Sequence, residues 1–169
     1  MNITFLGTGT STGVPLIGSD HPVCKSSNPK DNRLRSSILL EWDELNLIVD
    51  TGPDFRQQML NCNCKKIDVV LYTHEHYDHI SGIDDLRAFC FRQGKIPVYA
   101  HKRVLKILNS KHKYIFDKKN RYQGAPELVI NEIVENKTLK LFNHKIVPIS
   151  YLHGKLQVFG FKFNNFAYL

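Results

Sequence analysis

The sequence predicts a single domain of mixed α and β structure, from three observations. The chain has 169 residues and a mass of 19.5 kDa, within the range of one domain. Hydrophobic residues make up 42% and charged residues 23%, enough apolar mass for a core, which excludes disordered, collagenous and coiled-coil chains. Short β-branched runs are interspersed with segments of helical period, without an internal repeat or a linker long enough to divide the chain.

The elements follow in order. Ile3–Leu6 is a short strand-like run that breaks into Gly7-Thr8-Gly9-Thr10-Ser11-Thr12-Gly13, where glycines permit close backbone approach. Ser37–Trp42 and Leu45–Val49 flank Asp43-Glu44 and predict a hairpin. Pro53–Leu60 predicts a short helix, with Pro53 in the first turn, where no N–H partner is needed. Ile67–Tyr72 is continuous and β-branched, as a buried strand requires, and runs straight into His74. Ile80, Ile83, Leu86 and Phe89 recur at helical spacing, as do Val104, Leu105, Ile107 and Leu108 within Lys102–Leu108. Further strands are predicted at Leu128–Val134, Lys145–Ile149 and Gln157–Phe163.

Apolar runs such as Ile67–Tyr72 fall far short of the roughly 20 residues of a membrane helix, so no membrane partner is expected. The N-terminus shows neither a basic leader nor an export core, and the four cysteines lack framework spacing, which makes the cytosol (a cytoplasmic protein) the default. Charge is uneven. Residues 1–90 hold 8 basic and 12 acidic side chains, and residues 91–169 hold 15 and 4, so the net charge runs from −4 to +11. Arg92–Arg121 carries ten Lys or Arg against the single acid Asp117. A phosphorylated or polyanionic partner and a plain solvated face are both open for that stretch.

The most informative segment is Thr73-His74-Glu75-His76-Tyr77-Asp78-His79, at the end of the strand expected over 67–72. In extended backbone His74 and His76 project to one side and can reach one cation, while Asp78 and His79 lie a turn further on and can reach a second. Imidazole and carboxylate donors suit zinc, manganese or iron.

His74-x-His76-x-Asp78-His79 resembles the signature of the metallo-β-lactamase fold hydrolases. Leu47-Ile48-Val49-Asp50-Thr51-Gly52 is similar to that family's strand ending in an Asp behind the metal ligands. Leu6–Pro15 and Arg33-Leu34-Arg35-Ser36-Ser37 resemble the PhnP-like phosphodiesterase subgroup, and more remotely the tRNA 3′-processing endonucleases. The resemblance covers essentially the whole chain. It implies an α+β four-layer αββα sandwich and two divalent metal ions, zinc or manganese. His74, His76 and His153 would hold the first, and Asp78 and His79, the catalytic candidates, the second. Asp50 would orient a ligand or the following loop. The implied activity is hydrolysis of a small cyclic phosphate or nucleotide diester through a metal-bound hydroxide. Nucleic acid is a less favoured partner, as for an RNA-processing endonuclease, and a homodimer is left open.

The sequence departs from the family pattern in two places. A structural zinc site of the subgroup, Cys-x-Cys-x2-Cys, is matched by Ser19, His21 and Cys24, which leaves His21 and Cys24 as candidate ligands. Cys62 and Cys64 read as ordinary thiols or as a further metal-binding pair. In the family, the strand matched by Phe161–Leu169 leads to a Thr-Asp pair whose Asp bridges the metals, with further His residues beyond it. The chain is therefore expected to be an N-terminal portion of one metallo-hydrolase domain, truncated in the second half of the fold and inactive by itself. A catalytically inactive metal-binding fragment is the rival from another class.

Overall fold

The computed structural model describes residues 1–169 apart from 118 and 120. Strands β1 (Asn2–Gly7), β2 (Ser37–Trp42), β3 (Leu45–Val49), β4 (Val69–Leu71), β5 (Ile96–His101) and β6 (Leu128–Ile133) form one sheet in strict chain order. The first two pairings are antiparallel and the remaining three parallel. Parallel neighbours need crossovers, and helices supply them. Helix α1 (Phe55–Asn61) lies between β3 and β4. Helices α2 (Tyr77–Ile80) and α3 (Arg87–Gln93) lie between β4 and β5, and α4 (Lys102–Lys111) and α5 (Lys113–Phe116) between β5 and β6. A second sheet, β7 (Leu139–Leu141), β8 (His144–His153), β9 (Leu156–Phe163) and β10 (Phe166–Tyr168), is an antiparallel meander.

The two-residue period of the strands sorts side chains into two cores. Leu39, Ile48, Val70, Val98 and Ala100 face the helices, where they meet Phe55, Ile80, Leu86 and Val104. Ile38, Leu40, Leu47, Val49, Val69 and Leu71 face the other way and pack with Ile146, Phe159, Phe161 and Phe163. Every buried apolar helix residue belongs to the first core, and the second is built from strands alone. The order is thus helices, sheet, sheet: the αββα sandwich, with three of its four layers in the buried core of the described residues. Phe161, fully buried between the sheets, stands for the energetics, since its truncation to alanine would cost about 3–5 kcal/mol.

Both strands of the hairpin at 37–49 have their expected bounds. Other expectations need correction. Helix α1 begins at Phe55 rather than Pro53. Of Ile67–Tyr72 only β4 pairs as strand; at Asp68 the carboxylate, not a backbone carbonyl, accepts the Asn46 N–H at 2.9 Å. The spacing over Ile80–Phe89 belongs to three short pieces, α2, a 3-10 turn at Ile83–Leu86 and α3. The break falls at Gly82, whose N–H bonds the Thr51 carbonyl at 2.8 Å. Strand β8 extends beyond Lys145–Ile149 because β9 pairs with it as far as His153 and Leu156. Phe161–Leu169 is not one strand: it reverses at Asn164-Asn165, with Asn164 at φ 49°, so Phe166 pairs back onto Phe163. Strands β5 and β7 are not expected from the sequence, and β10 is expected only as a continuation of the strand before it. Among the described residues no helix is long and apolar enough to cross a membrane.

Candidate metal centre

The site grows from the C-terminal ends of β3 and β4, which lie side by side and parallel. Immediately after β3 comes Asp50, fully buried and left-handed at φ 64°, a conformation that Asp tolerates better than most side chains. Its carboxylate is saturated. Oδ1 accepts the Thr73 N–H at 2.8 Å, while Oδ2 accepts the Thr73 hydroxyl at 2.8 Å and His79 Nδ1 at 2.6 Å. A carboxylate only accepts, so His79 must carry its proton on Nδ1. The following residues are laced to α2: Thr51 N–H donates to the His79 carbonyl at 2.8 Å. At Gly52 a Cβ would stand 2.1 Å from the Asp78 carbonyl oxygen, so only glycine lets the two loops touch.

The tautomers of the other imidazoles follow from the same network. Because the Thr73 hydroxyl gives its proton to Asp50, it accepts from His74 Nδ1 at 2.9 Å. That leaves His74 Nε2 with its lone pair, which faces His76 Nδ1 at 3.1 Å. Burial first, and then the charge of neighbouring His79, pushes the His74 pKa down to about 4, so its ring is neutral, the form in which imidazole binds metal. His79 differs. Burial works against its charge, but Asp50 and Asp78 outweigh it and hold His79 above the usual imidazole range. His79 Nε2 lies 3.1 Å from Asp78 Oδ2, so the Nε2–H of the protonated ring donates to that carboxylate.

His153 arrives from the second sheet, at the end of β8, with its ring centroid 5.9 Å from that of His74 and 5.8 Å from that of His76. The rings of His74 and His79 are 4.0 Å apart. His74, His76, Asp78, His79 and His153 all line one cavity of about 550 Å³, together with Thr10, Ser11, Tyr151 and Val158. Ser11 is held from outside, its carbonyl accepting Arg35 Nε at 2.8 Å while the same guanidinium pairs with Asp54.

The donors match a divalent cation in kind: neutral imidazole, carboxylate, and a buried acid behind them. In spacing they are less complete, since among the described residues no group of three or more His, Cys, Asp or Glu is placed to hold one metal ion. His74 and His76 hydrogen bond each other. His21 and Cys24 share a single loop, where their side chains serve the backbone. His21 Nδ1 accepts the Val23 N–H at 3.2 Å, Cys24 Sγ the Leu16 N–H at 3.4 Å, and Ser19 Oγ the His21 N–H at 3.2 Å. Cys62 and Cys64 are separate thiols; burial pushes the Cys64 thiol up to about 11, against metal binding. Sequence reasoning passed over Thr73, whose hydroxyl joins Asp50 to His74; its signal was a polar residue closing the apolar run before His74. Thr10, Ser11 and Tyr151 gave no separate signal.

Residues 45–169 match the pattern of the beta-lactamase superfamily domain. The chain belongs to the beta-lactamase superfamily. Among solved structures, a diphosphatase from the PhnP family superposes with a TM-score of 0.88 at 38% identity, over 99% of this chain and 64% of that one. A Porphyromonas gingivalis protein named octanoyltransferase is 38% identical over all of this chain, which covers 34% of it. A ribonuclease Z of Prochlorococcus marinus is 30% identical over 96% of this chain and 49% of its own length. The chain thus spans between about a third and two thirds of these proteins. Its fold is the metallo-β-lactamase fold, and it is similar to the PhnP-family protein over nearly all of its length.

Proposed function

We propose that these residues form the metal-binding half of a phosphodiesterase acting on small cyclic phosphate or nucleotide diesters. The observation that carries it is the single cavity onto which His74, His76, Asp78, His79 and His153 all open, with buried Asp50 behind. In this reading His74, His76 and His153 hold one divalent ion and Asp78 and His79 a second, zinc or manganese. Such ions, when bound, polarise a phosphoryl oxygen and bring the pKa of water toward neutrality. The chain's own residues prepare the site. Asp50 fixes the proton of His79 on Nδ1 and turns Nε2 toward Asp78. Thr73 fixes His74 in the same way. Thr10 and Ser11 bring exposed hydroxyls to the cavity wall, where they can donate to phosphoryl oxygens. The volume of about 550 Å³ suits a substrate of nucleotide size, and the basic stretch 92–121 raises the local concentration of anions. The PhnP-family neighbour, named a diphosphatase, supports a small substrate with a phosphate linkage.

Residues 1–169 alone are proposed to hold metal weakly and to turn over little, since they supply at most three donors to the first ion and two to the second, while an open catalytic site takes three protein ligands per metal. The test pairs elemental analysis with hydrolysis of bis(p-nitrophenyl) phosphate, using the full gene product and the 169-residue chain. The gene product should carry close to two metals and lose turnover to background with Asp78→Ala. A metal-free gene product, or full metal and turnover in Asp78→Ala, refutes the dinuclear assignment, and brisk turnover by residues 1–169 refutes the second proposal. A ribonuclease Z-like activity on RNA is the second reading, favoured by the similarity over nearly the whole chain and by the basic stretch. Cleavage of a tRNA precursor in preference to small diesters would select it.

A further inference from the structure

The imidazoles come from two sheets: His74 and His76 follow β4 of the first, and His153 ends β8 of the second. Their spacing depends on how firmly the sheets are tied at this end of the sandwich. One direct tie is the Phe159 N–H, which donates to the Thr73 carbonyl at 3.1 Å. Another runs through Arg103, in the first turn of α4. Its Nε donates to Glu75 Oε1 at 2.7 Å and its Nη2 to Glu75 Oε2 at 3.1 Å, a two-pronged bond to the residue between His74 and His76. The same Nη2 donates to the Gln157 carbonyl on β9. Gln157 pairs with Leu152 in the register that sets Leu156 opposite His153, and its side-chain amide donates to Ser150 Oγ at 2.8 Å. Glu75 is largely buried and Arg103 about two-thirds so.

We propose that Arg103 is a positioning residue that braces the His74-Glu75-His76 loop against the β8–β9 hairpin and so sets the spacing of His153 from the other two imidazoles. The proposal rests on the assignment of those three histidines to one metal. Guanidinium suits the task because its rigid fork serves a carboxylate and a carbonyl at once, whereas a lysine ammonium is a single point on a flexible stem. The pair is also shielded enough to outlast the screening that makes surface ion pairs weak. Its location is dictated by the sheet order. β5 lies parallel beside β4, so the start of α4 stands at the same end of the sheet as the histidine loop.

The test compares Arg103→Ala, Arg103→Lys and Glu75→Ala with the parent in two measurements. One is zinc affinity, by competition with a chromophoric chelator. The other is amide hydrogen exchange of the metal-free protein. Arg103→Ala is expected to weaken zinc about tenfold, the lower end for a residue supporting metal ligands, and to speed exchange over both 73–79 and 152–158. Glu75→Ala should loosen 73–79 and leave 152–158 as in the parent, because the Gln157 bond survives. Arg103→Lys should recover less than half of the lost affinity. If Arg103→Ala fails to fold, Arg103→Lys carries both measurements. Parental zinc affinity in the Arg103 variants, or faster exchange confined to 73–79, overturns the brace. A parent protein that binds no zinc at all sinks the metal assignment instead, and the two-segment exchange pattern then decides the brace by itself.

Discussion

The loop over residues 73–79 and the loop over residues 19–24 both carry metal-ligand side chains, yet they differ in what stands behind them. Behind His74 and His79 lies Asp50, with no exposed surface and every carboxylate bond directed at the loop. Behind His21 and Cys24 there is no buried acid. Their side chains accept backbone N–H groups of their own exposed loop, and His21 thereby caps a 3-10 turn. A donor already used to finish a turn must give up that bond before it can hold a cation, whereas a donor oriented from behind keeps its lone pair forward. The contrast between the two loops lies in the support behind the donors more than in the donors themselves.

Asp50→Ala is the strongest way to break this contrast. It leaves the Thr73 N–H and His79 Nδ1–H buried without partners, and a loss of about 3–5 kcal/mol in urea unfolding is expected, with zinc affinity falling alongside. A loss under about 1 kcal/mol would show that the loop holds itself. Gly52→Ala comes next. Its methyl would meet the Asp78 carbonyl oxygen at 2.1 Å, so the 50–52 loop must separate from α2, at a cost of about 1–3 kcal/mol. Exchange protection lost at the Thr51 and Gly82 amides is the accompanying signature.

A third prediction sharpens the comparison through pH. His101 stacks on Phe159 with ring centroids 5.2 Å apart, and burial first, then Arg103 and Lys102, hold its pKa below the usual imidazole value. With the folded pKa lowered, the unfolded chain takes up the proton first. Stability is therefore lost as pH falls below about 6.5, the ordinary imidazole value. His101→Phe keeps the stacking and removes the proton site, so its melting temperature should fall less than the parent's between pH 7.5 and pH 5; an identical fall would discard the claim. The smallest effects belong to the other loop. His21→Ala and Cys24→Ala should each stay within about 1 kcal/mol of the parent, the size of a lost cap, and leave zinc stoichiometry unchanged. Lys106→Ala, on the exposed face of α4, should change stability by under about 0.5 kcal/mol. A zinc equivalent lost with His21→Ala would promote that loop to a real site.

Much of the site was legible because its donors sit within six residues and follow an apolar strand, a local pattern that periodicity exposes. The hairpin at 37–49 was legible for the same reason. What escaped depended on partners distant in sequence. β5 reads poorly because Pro97 interrupts a short run, and it becomes a strand because β4 and β6 flank it. The reversal at Asn164-Asn165 was hidden by the aromatic residues on either side. Arg103 looked like one more cation of a basic stretch, and its role appears only when α4 is set beside Glu75 and Gln157.

The strict chain order of the first sheet bears on the timing of assembly. Each of its six strands pairs with its nearest neighbour in the sequence, and the second sheet is likewise built from adjacent hairpins. The β2–β3 hairpin and the hairpins of the second sheet close short loops and form early, whereas the parallel pairings of the first sheet bridge longer crossovers. The long-range event is the docking of one sheet on the other, which brings His153 to a histidine loop that ends more than seventy residues before it. The histidine-lined cavity is therefore expected to assemble after the hairpins. A slow phase in refolding should be seen by a probe at His153 and be silent to one in the β2–β3 hairpin.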